Sequence, residues 1–166
     1  MTTLPQTGLT GLAVRTITAW ALLGGLMMCV VVLMNTYSVI GNNSGAPFPG
    51  DFELTEMGIC IAAFAFLPYC QMTGANVTAD IFTSRAGPRW LAAFRSLAST
   101  VALLFASLLL WRMFAGMLDQ KEYNYTTAIL HIPTWTAYVP VLISLALLVV
   151  AASITLTQSV SALRKR

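Results

Sequence analysis

Four uncharged, apolar stretches dominate the sequence. Each is of the order of the ~20 residues that a bilayer-spanning helix needs. The first lies between Arg15 and the Gly-, Asn- and Pro-rich loop at residues 41–50, with the apolar body AWALLGGLMMCVVVLM at Ala19–Met34. The second follows Glu56 and reads MGICIAAFAFLPYCQMTGANVTA as far as Ala79. The third lies between Arg95 and Arg112, around STVALLFASLLLW, and the fourth runs from about Trp135 to Ala162. All four are apolar around the whole circumference rather than along one stripe, as a helix surrounded by lipid or by other helices must be. The third is short between its arginines, but Arg side chains reach the headgroups at both ends of such a span.

Composition agrees. Of the 166 residues, 57% are hydrophobic and 9% charged, against about 25% charged in an ordinary soluble domain. This excludes a water-soluble globule, and it excludes disorder, which needs low hydrophobicity and high charge. A net charge of only +3 with no basic stripe excludes a nucleic-acid partner. The expected fold is an all-α integral membrane protein made of a single four-span domain in the lipid bilayer. The spans fall at about 16–40, 56–79, 93–117 and 135–160. They use nearly the whole chain and leave no room for a soluble catalytic domain. The first stretch is too long for the apolar core of a signal peptide and no small-residue cleavage site follows it cleanly, so it reads as a retained span.

Basic residues set the orientation. With both termini inside, the cytoplasmic side holds Arg15, Arg85, Arg89, Arg95, Arg164, Lys165 and Arg166, while the other side holds Lys121, with Arg112 at its boundary. The acids fall the opposite way: Asp51, Glu53, Glu56, Asp119 and Glu122 outside, and Asp80 inside. Both termini are therefore expected to be cytoplasmic. In the inner connection, ADIFTSRAGPRWLAAFR, the apolar Trp90, Leu91 and Phe94 recur at helical spacing beside Arg89 and Arg95. Two readings account for them: a short helix lying in the interface plane between spans two and three, or the start of the third span itself. Asp80 follows the second span, where the helix dipole disfavours a negative charge; Arg85, Arg89 and Arg95 are its candidate partners.

Several chemistries lack their residues. Cys29, Cys60 and Cys70 form no CxxC pair. His131 is the only histidine and stands just before Pro133, whereas a haem-carrying anchor usually needs two axial ligands. No HExxH, GxSxG or phosphate-cradling Gly loop occurs. The central thirds of the spans carry no acid, although an ion-coupled carrier normally keeps ionisable or unwound polar sites near midplane. Neither enzymatic activity nor a cofactor or metal is expected. What remains are Pro68 and Pro140 inside spans, small residues that permit close helix contact (Gly24 and Gly25, Gly58 and Ala62, Ala102 and Ala106), and tryptophans near span ends (Trp20, Trp90, Trp111 and Trp135). Glu53 and Glu56 share one helix face at the positive end of the second span. They read either as a dipole pair or as a contact surface for a partner.

Three segments together resemble the small membrane subunit of the tripartite ATP-independent periplasmic (TRAP) transporters. FELTE at Phe52–Glu56 is similar to the Glu-containing start of that subunit's second span, LPYCQMTGANVTADIF at Leu67–Phe82 to the end of that span, and LHIPTWTAY at Leu130–Tyr138, with Pro133 and Trp135, to the opening of the fourth. Gly74 and Asp80 fit the pattern; Asn76 stands where the family often has His, Ala75 where a second Gly is common and Thr78 where a basic residue is common. The resemblance implies a non-catalytic scaffold in the bacterial inner membrane. Its partners would be a larger, many-span subunit that carries the substrate and ion sites, and a soluble periplasmic protein that delivers the substrate, often an organic acid, with a sodium gradient commonly driving uptake. On this reading Asp51, Glu53, Glu56, Asp119 and Glu122 are candidate partner contacts. Gly74, Asn76, Asp80, Arg85, Arg89, Trp90, Pro133 and Trp135 are interfacial or structural candidates. Two rival functions stay open at this point: a membrane anchor for a redox complex, and a small independent channel or carrier.

Overall fold

The computed structural model describes residues 8–45, 48–74 and 88–164. Among them it forms four helices: α1 (Leu9–Asn43), α2 (Asp51–Thr73), α3 (Pro88–Glu122) and α4 (Trp135–Arg164). All four are long and apolar enough to cross a membrane. The described residues contain no strand, only an isolated bridge between Thr126 and Pro133.

The helices outrun the apolar stretches because hydropathy marks the part that crosses lipid, whereas a helix continues until the backbone is stopped. α1 has 35 residues, a length of ~52 Å at 1.5 Å per residue. It begins well before Arg15 and ends at Asn43. α2 starts five residues before the expected span, directly after Gly50, and carries Asp51 and Glu53 in its first turn, where the dipole favours them. It stops at Thr73, short of Ala79, because Gly74 takes a left-handed φ of 66° and donates its N–H to the Cys70 carbonyl. α3 begins at Pro88, at the position where proline's missing donor costs nothing. Arg89, Trp90, Leu91 and Phe94 therefore belong to the first turns of the third helix, as the second of the two readings has it. Asn76, Asp80 and Arg85 lie outside the described residues, as do the side chains of Arg89, Trp90 and Arg95, and with them the expected pairing of Asp80.

α1 packs on α2, α2 on α4, and α4 on α3, with only light contact between α1 and α4. The helices thus stand in a row, α1–α2–α4–α3. Small residues set the spacing. At the α1–α2 crossing Gly58 faces Val31 so closely that an added Cβ would lie 2.5 Å from the Val31 Cγ2, while Gly25 has nothing within 4 Å. Ala62, Ala65 and Ala106 are buried along the same seams. Towards the end where α1 begins, Ile17, Met72 and Ala151 join α1, α2 and α4 in one apolar cluster.

Side-chain bonds cross the seams at several levels. Asn35 Nδ2 donates to Thr55 Oγ1 at 2.7 Å between α1 and α2, and Gln71 Nε2 to Thr155 Oγ1 at 3.0 Å between α2 and α4. The indole N–H of Trp20 donates to Ser144 Oγ at 2.8 Å between α1 and α4, and Ser144 in turn donates to the Pro140 carbonyl. The polar edge of Trp20 is thus used inside the bundle. Other hydroxyls, such as those of Thr36 and Ser107, donate to carbonyls one turn back and so carry no unmet polarity into an apolar phase.

Candidate functional site at the acidic end

The end of the row where α1 and α3 finish and α2 and α4 begin gathers Asp51, Glu53, Glu56, Asp119 and Glu122. Its geometry begins with Gly50, whose φ of 78° is open to glycine and strained for other residues. The Leu130 side chain lies directly over Gly50, in space that a Cβ would occupy. The following turn of α2 then aims the Glu53 carboxylate at the connection between α3 and α4.

That connection, residues 123–134, is a folded hairpin. Thr134 N–H donates to the Tyr125 carbonyl at 2.9 Å and Thr127 N–H to the Ile132 carbonyl at 3.0 Å. Ile132 N–H donates to Thr127 Oγ1 at 3.1 Å. Asn124 and His131 make the bends with left-handed φ values of 51° and 52°. Pro133 forms the bridge with Thr126. Trp135 opens α4, and the Lys121 ammonium lies 5.7 Å from its ring, a cation–π contact that ties the end of α3 to the start of α4.

Glu53 joins this hairpin to α2. One carboxylate oxygen accepts the Ile129 N–H at 2.7 Å and the other the Leu130 N–H at 3.1 Å. Glu53 stands in the turn ahead of the apolar stretch that begins at Met57, outside the second span expected at 56–79. Desolvation pushes its carboxyl up, but the bonds from the Ile129 and Leu130 amides, the Thr127 side chain and the Ala128 amide outweigh it. The net effect holds the carboxyl below the usual glutamate value. Asp51 is also used within the chain: Ser38 Oγ donates to one carboxylate oxygen, and the Phe52 N–H to the other at 2.8 Å.

The five acids therefore divide. Asp51 and Glu53 hold parts of the chain together, while Glu56, Asp119 and Glu122 are exposed. Two tyrosines at the hairpin base, Tyr123 and Tyr125, are exposed with ring centroids 5.9 Å apart, and so is Ile129 at the tip. His131 is an exposed bend residue. The described residues contain no group of three His, Cys, Asp or Glu side chains placed to hold a metal ion. At the opposite end Gly74 serves as the helix stop described above.

The sequence matches the family model of the tripartite ATP-independent periplasmic transporters, DctQ component, over residues 31–162. The chain belongs to the DctQ family. No curated protein and no solved structure matches it. As a DctQ component the chain is the small component of a TRAP transporter, and its fold is a four-helix, multi-pass membrane fold. The matched region takes in both halves of the acidic end, the start of α2 and the hairpin, so this site lies inside the DctQ part of the chain. Sequence reasoning placed Glu53 among possible contacts and missed its bond to a loop more than seventy residues away. No local pattern announces such a bond. The nearest signal was LHIP itself, a short apolar segment before proline in an otherwise polar connection.

Proposed function

We propose that this DctQ component is the small scaffold subunit of a secondary, binding-protein-dependent transporter that takes up an organic acid or a similar small solute by symport. It sits in the bacterial inner membrane with both termini cytoplasmic, so that the acidic end faces the periplasm. It holds the large many-span subunit in the bilayer and helps to dock the periplasmic binding protein. The observation that carries this reading is the DctQ match over residues 31–162 on a four-helix membrane chain. The arrangement supports it. A row of four helices leaves broad apolar faces: α3 packs on α4 and buries only 6% of its most apolar window, and Leu22, Leu26, Val30 and Leu33 of α1 are exposed. Such faces suit lipid on one side and a larger membrane partner on the other.

The test is deletion of this chain beside an intact large subunit and binding protein. Uptake of the substrate should be lost and should return with the chain supplied in trans, and the two membrane subunits should co-purify in detergent. Uptake that persists without the chain would remove the scaffold role.

A further inference from the structure

We propose that the hairpin 123–134 is a preformed surface for a soluble partner protein and that Glu53 is its positioning residue, acting through the hairpin rather than by touching the partner. This rests on the transporter reading above, because it takes the acidic end to face the periplasm. Four observations support it.

The hairpin is ordered from two sides. Its own bonds close it at Tyr125–Thr134 and Thr127–Ile132. Both oxygens of Glu53 then fasten its tip to α2, while Leu130 covers Gly50. A connection of this length with no fastening would lose conformational freedom on binding; one already fixed loses little, and preorganisation of this kind raises affinity. What it presents is apolar and aromatic. Tyr123 is 67% exposed, Tyr125 55% and Ile129 58%. Tyrosine is a residue enriched at protein contacts.

The hairpin also follows the charged end of α3, beyond its expected span. The third span is expected to end near residue 117, and the helix continues five residues to Glu122, a further ~7.5 Å at 1.5 Å per residue. Charge decides between a protein and a membrane surface. Asp119 and Glu122 are exposed beside the tyrosines, whereas Lys121 is held over Trp135. An acidic rim repels anionic headgroups and suits a basic patch on a soluble protein.

The experiment uses the complex of the two membrane subunits in proteoliposomes, with the periplasmic binding protein titrated. In Glu53→Gln an amide replaces one acceptor oxygen with a donor. The Ile129 and Leu130 amides should exchange hydrogen faster, and half-maximal uptake should need at least ~fivefold more binding protein, with the maximal rate kept. Tyr123→Ser with Tyr125→Ser should raise the same half-saturation point while amide exchange at 129 and 130 stays as in the parent. Unchanged exchange in Glu53→Gln would overturn the positioning role. Faster exchange with an unmoved half-saturation point would overturn the hairpin as a docking surface, and would do so while uptake still depends on the chain, so the scaffold reading would survive. A shift seen only in vesicles of anionic lipid and absent in zwitterionic ones would make the hairpin a lipid contact and likewise overturn the proposal.

Discussion

At the scale of single residues, polar side chains on several helices bond to a neighbouring helix of the same chain. Trp20 and Ser144 show why. Ser144 is fully buried, and its hydroxyl accepts from the indole and donates to the carbonyl of Pro140, one turn back. Side-chain hydrogen bonds between membrane helices are worth on average about 0.6 kcal/mol and at most about 1.7. Trp20→Phe and Ser144→Ala should each destabilise by roughly that range, and the double variant should show a coupling of about 0.6–1.7 kcal/mol in reversible unfolding in detergent. Strict additivity would mean that the bond contributes nothing. Glu53 makes a prediction in pH. Its folded carboxyl is held below the usual glutamate value. Its contribution is therefore complete above the unfolded value and is lost as pH falls through the folded one. Exchange at the Ile129 and Leu130 amides, corrected for intrinsic rates, should be flat from neutral pH down to about 5 and should rise only below about 4.3. A rise near neutrality would mean that another group holds the hairpin. Neither bond was legible in the sequence. A tryptophan near a span end gives no sign of a hydroxyl partner on a helix 124 residues further along, and a glutamate in a first turn looks like a dipole partner until the loop above it is in place.

At the scale of elements, the sequence carried most of what the structure shows. The number, type and order of the helices follow from four apolar stretches and the Gly, Pro and Asn residues between them. Their ends do not, because Pro88 and Glu122 bound α3 for backbone reasons, outside the Arg95–Arg112 stretch that hydropathy marks. Which small residues touch a neighbour is equally hidden, since every membrane helix has some. The α1–α2 seam makes this testable. Gly58 meets Val31 at 2.5 Å from an added Cβ, and Gly25 meets nothing within 4 Å. Gly58→Ala should force the helices apart and destabilise by about 1–3 kcal/mol, the usual cost of overpacking. Gly25→Ala should be neutral within about 0.5 kcal/mol. Thermal unfolding of the purified complex separates the two, and equal effects would show that the α1–α2 seam does not run over Gly58.

At the scale of the whole molecule, charge and shape act together, and the division of the acids changes how docking must be tested. Asp51 and Glu53 hold Ser38 and the hairpin, so reversing them would disturb the fold as well as the surface. Glu56, Asp119 and Glu122 are exposed, and their reversal changes the field alone. On the proposed docking role, a binding protein finds this face, releases its ligand and leaves, so its contact should be weak and fast. Complementary charge then acts mainly on encounter rate and orientation, within a Debye length of ~8 Å at physiological ionic strength. The variant Glu56→Lys, Asp119→Lys, Glu122→Lys should slow uptake by roughly tenfold at limiting binding protein and low salt. The deficit should shrink as salt rises, because screening weakens both the attraction in the parent and the repulsion in the variant. Assembly should be unaffected, since none of the three side chains is buried against another helix. Normal uptake at low salt would show that this charge does not steer the partner. Loss of co-purification with the large subunit would instead assign the three acids to the membrane interface, and would turn the acidic end from a docking surface into a part of the scaffold itself.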